Sequence, residues 1–233
     1  MAKVGMRQVC GIWKPNTDPD NYVRDSPIVE GTPCYQQEQI MMAIGMCGER
    51  RRTVIDGGAH IGLWALQFQH HFQNVIAFEP VPTNFECLEK NIAEHWKTEA
   101  KLQLNCAALS DKDATISLNT SKSTKSYAWT ALLDDDARES YDTIEVPCHR
   151  LDTFNLQNVD LIKLDVEGHE LEALQGAIET IKRYKPIVLI EDKHVKGRPA
   201  CNYLEELGMR RVWDRKYDCL YAWGKSKAKS RQL

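Results

Sequence analysis

The sequence predicts an α/β fold, a mostly parallel sheet wound with helices on both faces. Three observations carry this. Short apolar or β-branched runs at Thr53–Ile55, Asn74–Pro80, Leu161–Leu164 and Ile187–Ile190 suit buried strands. Segments of helical spacing separate them, as at Thr83 to His95 and Leu171 to about Tyr184. Acidic residues collect where the strands end, at Asp56, Glu79, Asp165 and Glu191, which is the edge at which such sheets bind ligands.

At 233 residues the chain has room for one α/β domain with a full core. Its 42% hydrophobic and 27% charged content belongs to soluble globular proteins, and no stretch reaches the roughly 20 apolar residues of a membrane span. The opening MAKVGMRQVC lacks a signal-peptide core, so a cytoplasmic location is expected. Eight scattered cysteines include no C-x-x-C pair, which reads as small core residues in a reducing compartment rather than a zinc site. A net charge of −3 argues against broad affinity for nucleic acid.

Residues 1 to about 33 carry Pro15, Pro19, Pro27 and Pro33 among polar residues and read as a loop-rich arm, ahead of a single domain over 34–224. Trp13 and Tyr22 either staple this arm to the body or close over a pocket. Gln36 to Cys47 is a helix by spacing, stopped by Gly48. Arg50, Arg51 and Arg52 read as a solvated lead-in to the first strand.

That strand runs into TVIDGGAHIG, the stretch around which the chain is organised. The glycines at 57, 58 and 62 allow backbone to approach a ligand where the strand ends. A pyrophosphate loop would have no carboxylate in its mouth. Asp56 would repel a phosphate and suit a sulfonium or ammonium group, both of which S-adenosylmethionine carries. The D-x-G-x-x-x-G pattern resembles the first motif of class I methyltransferases, with His60 standing where many have a middle glycine. Gly57, Ala59 and His60 complete the candidate cofactor loop.

Asn74 to Pro80 is the second strand, ending in Glu79, 23 residues beyond Asp56 and near the ~20-residue spacing at which an acidic residue meets ribose hydroxyls. Pro80 and Val81 can lie against adenine. The helix from Thr83 to His95 takes Thr83 or Asn84 as its cap. Lys101 to Leu109 is the third strand, and Cys106 and Ala107 near its end flank the adenine edge. Residues 111 to 150 interrupt the rhythm with three strand-like pieces and read as an inserted antiparallel element before the fourth strand. Insertions there often form acceptor pockets, so Tyr127, Trp129, His149 and Arg150 are substrate candidates, Trp129 being equally suited to packing.

The fourth strand ends in VDLIKLDVEGHE, where Asp165, Glu167, His169 and Glu170 crowd around a turn at Gly168. Buried charges are costly unless paired, so this cluster implies a polar cleft. One helix over Leu171 to Tyr184 follows. The fifth strand delivers Glu191, Asp192, Lys193 and His194 to the same edge, Glu191 joining the substrate candidates. Asn202 to Leu207 is helical, Arg210 to Trp223 supplies one or two closing strands, and residues 225–233 form a basic tail.

In order, VIDGGAHIG, VIAFEPVPTNFECLEKNI, HRLDTF and LIKLDVEGHELEALQGA resemble the FkbM family of S-adenosylmethionine-dependent methyltransferases over roughly residues 53–194. Asp56, Gly58, Gly62 and Glu79 match the family's cofactor positions, and Asp165, Glu167 and Gly168 its D-x-E-G motif. The resemblance implies a Rossmann-like seven-stranded, mainly parallel sheet with the last strand antiparallel. It also implies O-methylation of a hydroxyl on a sugar, glycan or natural product.

A hydroxyl nucleophile calls for a base within reach. Asp165, Glu167, His169 and His194 are the candidates; Asp165 is favoured for its place at the strand end, His194 comes next, and Glu167 can instead anchor the turn. A divalent cation held by the same cluster is an alternative that is not favoured. Three other classes stay open: an RNA ribose 2′-O-methyltransferase using Lys163 or Lys193, a nicotinamide oxidoreductase, against which Asp56 argues, and a non-catalytic methyltransferase-fold binding protein.

Overall fold

A computed structural model describes residues 5–121, 127–129, 141–192 and 197–224. In chain order its elements are β1 (Met6–Val9), β2 (Ile12–Pro15), α1 (Asn21–Arg24), β3 (Ile28–Val29), β4 (Thr32–Pro33), α2 (Gln37–Cys47), β5 (Thr53–Gly57), α3 (Leu63–Phe68), β6 (Asn74–Phe78), α4 (Pro82–His95) and β7 (Lys101–Asn105). There follow β8 (Ala108–Leu109), β9 (Ala114–Ser121), β10 (Tyr127–Trp129), β11 (Tyr141–His149), a short 3₁₀ turn (Leu151–Phe154), β12 (Val159–Leu164), α5 (Glu170–Gln175), α6 (Ile178–Tyr184), β13 (Ile187–Glu191), α7 (Pro199–Glu206), β14 (Arg210–Arg215) and β15 (Asp218–Ala222).

The main sheet has seven strands in the order β14-β15-β13-β12-β5-β6-β7. β5, β6, β7, β12 and β13 pair in parallel, and β15 runs antiparallel to both its neighbours. The chain works outward from β5 to β7 and then returns to β12 beside β5, so the direction of winding reverses between β5 and β12. Side chains alternate between faces along each strand. Val54, Val75 and Leu161 pack with Ile40, Leu66 and Leu88 on one face, while Ile55, Ile76 and Ile162 pack with Leu174, Ile181 and Leu204 on the other. Among the described residues no helix is long and apolar enough to cross a membrane.

Several elements differ from the sequence expectation for identifiable reasons. The supposed loop-rich arm holds two hairpins, β1–β2 and β3–β4, closed by Cys10–Gly11 and Glu30–Gly31, all at positive φ as two-residue hairpin turns require. Trp13 staples the arm to α4: its backbone N–H donates to Asn91 Oδ1 (2.7 Å) and its indole N–H to Glu94 Oε1 (2.7 Å). α4 starts at Pro82 behind Val81 as its cap, where Thr83 or Asn84 was expected. The run from Lys101 to Leu109 is two strands, because the chain leaves the main sheet after Asn105 and β8 pairs with β11 in a second, four-stranded sheet ordered β10-β9-β11-β8. The expected single helix from Leu171 is broken after Gln175. A side chain at Gly176 would sit 1.8 Å from the Ser110 carbonyl oxygen, and the Asp152 carboxylate accepts from the N–H groups of Glu179 and Thr180 to start α6 anew. The helix expected at Asn202 begins at Pro199. The basic tail lies outside the described residues.

The arginines before β5 are not merely solvated. The buried Asp160 of β12 accepts from Arg52 Nε (2.8 Å), Arg52 Nη2 (2.6 Å), the Arg52 backbone N–H (2.9 Å) and Arg50 Nε (3.1 Å). Burial alone would raise this carboxyl group, but the arginine contacts outweigh it and hold it below the ordinary value. A depressed carboxylate stabilises the fold above its unfolded pKa and loses that contribution as pH falls through the folded value. Asp160→Asn is therefore expected to cost about 2 kcal/mol at pH 7, after discounting for the half-exposed arginines, and to flatten the acid limb of stability against pH. Urea melts at pH 7 and pH 3 check this; an unchanged acid limb would count against it.

Candidate active site

A cavity of about 400 Å³ opens at the carboxyl edge of the sheet, at the reversal between β5 and β12. The register pairs Lys163 with Asp56 and Leu164 with Gly57, so the loops leaving the two strands lie side by side. They interlock. Gly58 has φ 73°, and a Cβ there would stand 1.9 Å from the Asp165 carbonyl oxygen, so neither the backbone shape nor the space admits a side chain.

The cavity wall divides by chemistry. On the β6 side, with the insertion, it is mostly apolar, with Phe78, Pro80, Val81, Ala107, Leu109 and Leu118 around Glu79 and Asn84. On the β12 and β13 side it is acidic, with Asp165, Glu167 and Glu191. Each of these three places a carboxylate oxygen within 4.8 Å of the others, a set of hard ligands a divalent cation could use. Glu79 is nearly buried and accepts from the His60 N–H (2.8 Å), the Val81 N–H (3.0 Å) and Asn84 Nδ2 (3.2 Å). Burial raises its carboxyl group despite the nearby imidazole and these donors.

Asp56 does not reach the wall. Its place inside the paired part of β5 buries it completely, and Lys163 Nζ stands 3.0 Å from its Oδ1. The approach is ionic without hydrogen-bond alignment, and the ammonium directs its hydrogen bonds to the carbonyls of Gly58 (2.8 Å) and Gly57 (3.3 Å). The expectation that Asp56 meets a cationic ligand is thus corrected: its cation is internal. Burial would lower the Lys163 amine, but Asp56 and then Asp165 raise it, so the pair stays charged. Lys163 is engaged in this pair and is absent from the cavity wall.

The D-V-E-G-H-E turn also sorts differently from expectation. Glu170 anchors it, accepting from the N–H groups of Val166 (3.1 Å) and Gly168 (3.2 Å), with its acid pushed up to about 7 by burial. Glu167, at φ 57°, lines the cavity instead. His169 turns away: it is buried, its Nε2 lies 3.0 Å from Ser110 Oγ and its Nδ1 3.3 Å from Glu172, and burial pushes it down to about 4. Of the acceptor candidates, His149 pairs with Asp113 (3.0 Å) and Arg150 with Asp152 (3.8 Å), and neither lines the cavity. Tyr127 and Trp129 lie on β10, and nothing further is described of their side chains. His194 and Lys193 lie outside the described residues. Cys106 is exposed and off the wall; Gly57 and Gly62 are buried and also off it; Ala59, His60 and Ala107 line it.

Sequence reasoning missed Asp18 and Asn21 of the arm and Tyr35 and Gln36 just after it, which line the wall beside Tyr22. The fully buried Lys14 ties the turn down by donating to the carbonyls of Pro15 (3.0 Å) and Asp18 (2.6 Å). Asp18 Oδ2 then accepts from Tyr22 OH (3.1 Å) and meets His60 Nε2 at 3.0 Å. Tyr22, one of two readings for the arm's aromatics, lines the cavity, while Trp13 is the staple.

A family model described as the Methyltransferase FkbM domain matches residues 56–217. Methyltransferase 1 of Beauveria bassiana (strain ARSEF 2860) is 27% identical over 148 residues, which is 53% of this chain and 57% of that protein. Methyltransferase sdnD of Sordaria araneosa is 27% identical over 185 residues, 66% of this chain and 71% of that one. The match to the first of these relatives thus spans little more than half its length. Among solved structures, Methyltransferase FkbM from Methylobacillus flagellatus KT aligns with a TM-score of 0.53 at 20% identity, covering 75% of this chain and 44% of that chain, a likeness of fold.

Proposed function

Because the chain belongs to the FkbM methyltransferase domain family, we propose that it transfers the methyl group of S-adenosylmethionine to a hydroxyl of a sugar, glycan or natural-product acceptor. The observation that carries this reading is the division of the cavity wall. Among the described residues it holds five carboxylates, Asp18, Glu79, Asp165, Glu167 and Glu191, and no lysine or arginine, facing an apolar slot. Such a wall repels phosphates and favours a ligand that is flat and apolar at one end and cationic at the other. S-adenosylmethionine has that form, and the residues fit it.

In this reading Pro80, Val81 and Ala107 lie along adenine, and Glu79 keeps lone pairs for the ribose hydroxyls beside the three it gives to its own chain. Bound there, S-adenosylmethionine supplies a methyl group on sulfonium that an acceptor oxygen takes in line, the C–S electron pair returning to sulfur. Asp165 receives the hydroxyl proton, with Glu167 and Glu191 beside it. Tyr22, Tyr35 and Gln36 form the acceptor side of the wall. A cytoplasmic setting belongs to the same reading, resting on the scatter of the cysteines.

A second reading rests on the three converging carboxylates, which would orient the acceptor through a divalent cation. One experiment addresses both: calorimetric titration of S-adenosylmethionine and S-adenosylhomocysteine, followed by methyl transfer to hydroxyl acceptors, each with and without a chelator. Binding and turnover that survive the chelator are expected. Turnover lost with the chelator and restored by magnesium would favour the cation, and absence of binding would favour a non-catalytic protein.

A further inference from the structure

Five carboxylates answer the positive groups of S-adenosylmethionine but not its one negative group, the amino-acid carboxylate. Only one side chain in the described wall can carry positive charge, and it is His60. We propose that His60, held by Asp18 of the N-terminal arm, is the binding site for the amino-acid carboxylate of the cofactor; this rests on the cofactor reading above.

The geometry favours it in three ways. The imidazole lines the cavity and is 39% exposed, and Asp18 engages Nε2 at 3.0 Å, so Nδ1 is the nitrogen available to a ligand. Asp18 is itself fixed by the Tyr22 hydroxyl and by a turn braced on Lys14, so the ring is oriented before any ligand arrives. The His60 backbone lies at φ 52° and its N–H donates to Glu79. A residue other than glycine in that conformation is strained, and strain of this kind persists where the surroundings hold it in place, often at ligand clamps. The loop thereby holds the Glu79 carboxylate through backbone and leaves the His60 side chain for the ligand carboxylate.

The setting favours the protonated ring. Burial works against the charged form, but Asp18, then Glu79 and Asp165, outweigh it and raise the imidazole above its ordinary value. Protonated imidazole donates from both nitrogens, one to Asp18 and one to the ligand carboxylate, a charge-assisted contact. Tyr22 packs beside the ring at 5.7 Å between centroids and carries no charge of its own at neutral pH.

The test compares two ligands on two proteins. S-adenosylhomocysteine and decarboxylated S-adenosylhomocysteine, which keeps adenosine and the amine, are titrated calorimetrically into wild type and His60→Asn. Asparagine tolerates the left-handed backbone, so the loop is preserved. S-adenosylhomocysteine is expected to bind the variant on the order of tenfold more weakly, with the decarboxylated ligand changed by less than about twofold. Asp18→Asn is expected to show the same pattern at smaller size. Equal weakening of both ligands would mean a structural role for His60 and overturn the inference, as would an unchanged affinity for S-adenosylhomocysteine. Wild type that binds neither ligand would instead remove the cofactor reading and this inference with it.

Discussion

Asp165→Asn is expected to slow turnover roughly 10²- to 10⁴-fold while leaving S-adenosylhomocysteine affinity within about threefold of wild type. Asparagine has the shape of aspartate, and the backbone at 165 is fixed on both sides: its N–H donates to the Gly57 carbonyl (3.1 Å), and its own carbonyl oxygen fills the space beside Gly58. The substitution therefore keeps this backbone frame while removing the candidate proton acceptor and a negative charge felt by Lys163 and His60. Single-turnover rates with a saturating hydroxyl acceptor read the chemical step, and calorimetry reads the affinity. Near-normal turnover would pass the role to Glu167, which lines the same wall, or to His194.

The largest effect on stability is expected at the Lys163–Asp56 pair. Both side chains are at most 5% exposed, so removing one leaves the other charged and buried. Lys163→Met is expected to cost about 3–5 kcal/mol, the range for breaking a buried ion pair, because it also takes the donor from the Gly57 and Gly58 carbonyls. Lys163→Met with Asp56→Asn is expected to recover more than half of that loss, since no buried charge remains. Urea midpoints of the two singles and the double close the cycle; additive losses would mean that the two groups do not depend on each other. The same argument governs how cofactor binding by Asp56→Ala is read. A variant that no longer binds reports a loop whose internal cation has lost its partner, not a lost contact with ligand.

The sheet was legible because its central strands are buried on both faces and so spell apolar runs, as Thr53–Ile55 and Leu161–Leu164 do. Glu79 and Asp165 were legible for the complementary reason: a carboxylate directly after such a run has left the pairing and faces the crevice. Asp56 fails that rule by one residue. β5 extends through Gly57, so its register partner Lys163, 107 positions away, takes the charge. Nothing local announces a pairing of that range. His169 was misread because a histidine beside two glutamates looks like part of a cluster, yet the start of α5 aims it at Ser110, just ahead of the insertion. The arm was opaque because its prolines hid two-residue turns. One local sign was present: Asp18 and Tyr22 stand four apart, the spacing at which the hydroxyl reaches the carboxylate.

The interlock of Gly58 with the Asp165 carbonyl bears on how sequences of this kind can diverge. The two positions are far apart in the chain but share one volume, so a methyl group gained at 58 displaces the backbone that carries Asp165. A shift of about 1 Å there is enough to lose most of an aligned reaction's rate. A side chain at position 58 therefore disturbs both loops at once, and the two motifs act as one packed unit despite the hundred residues between them.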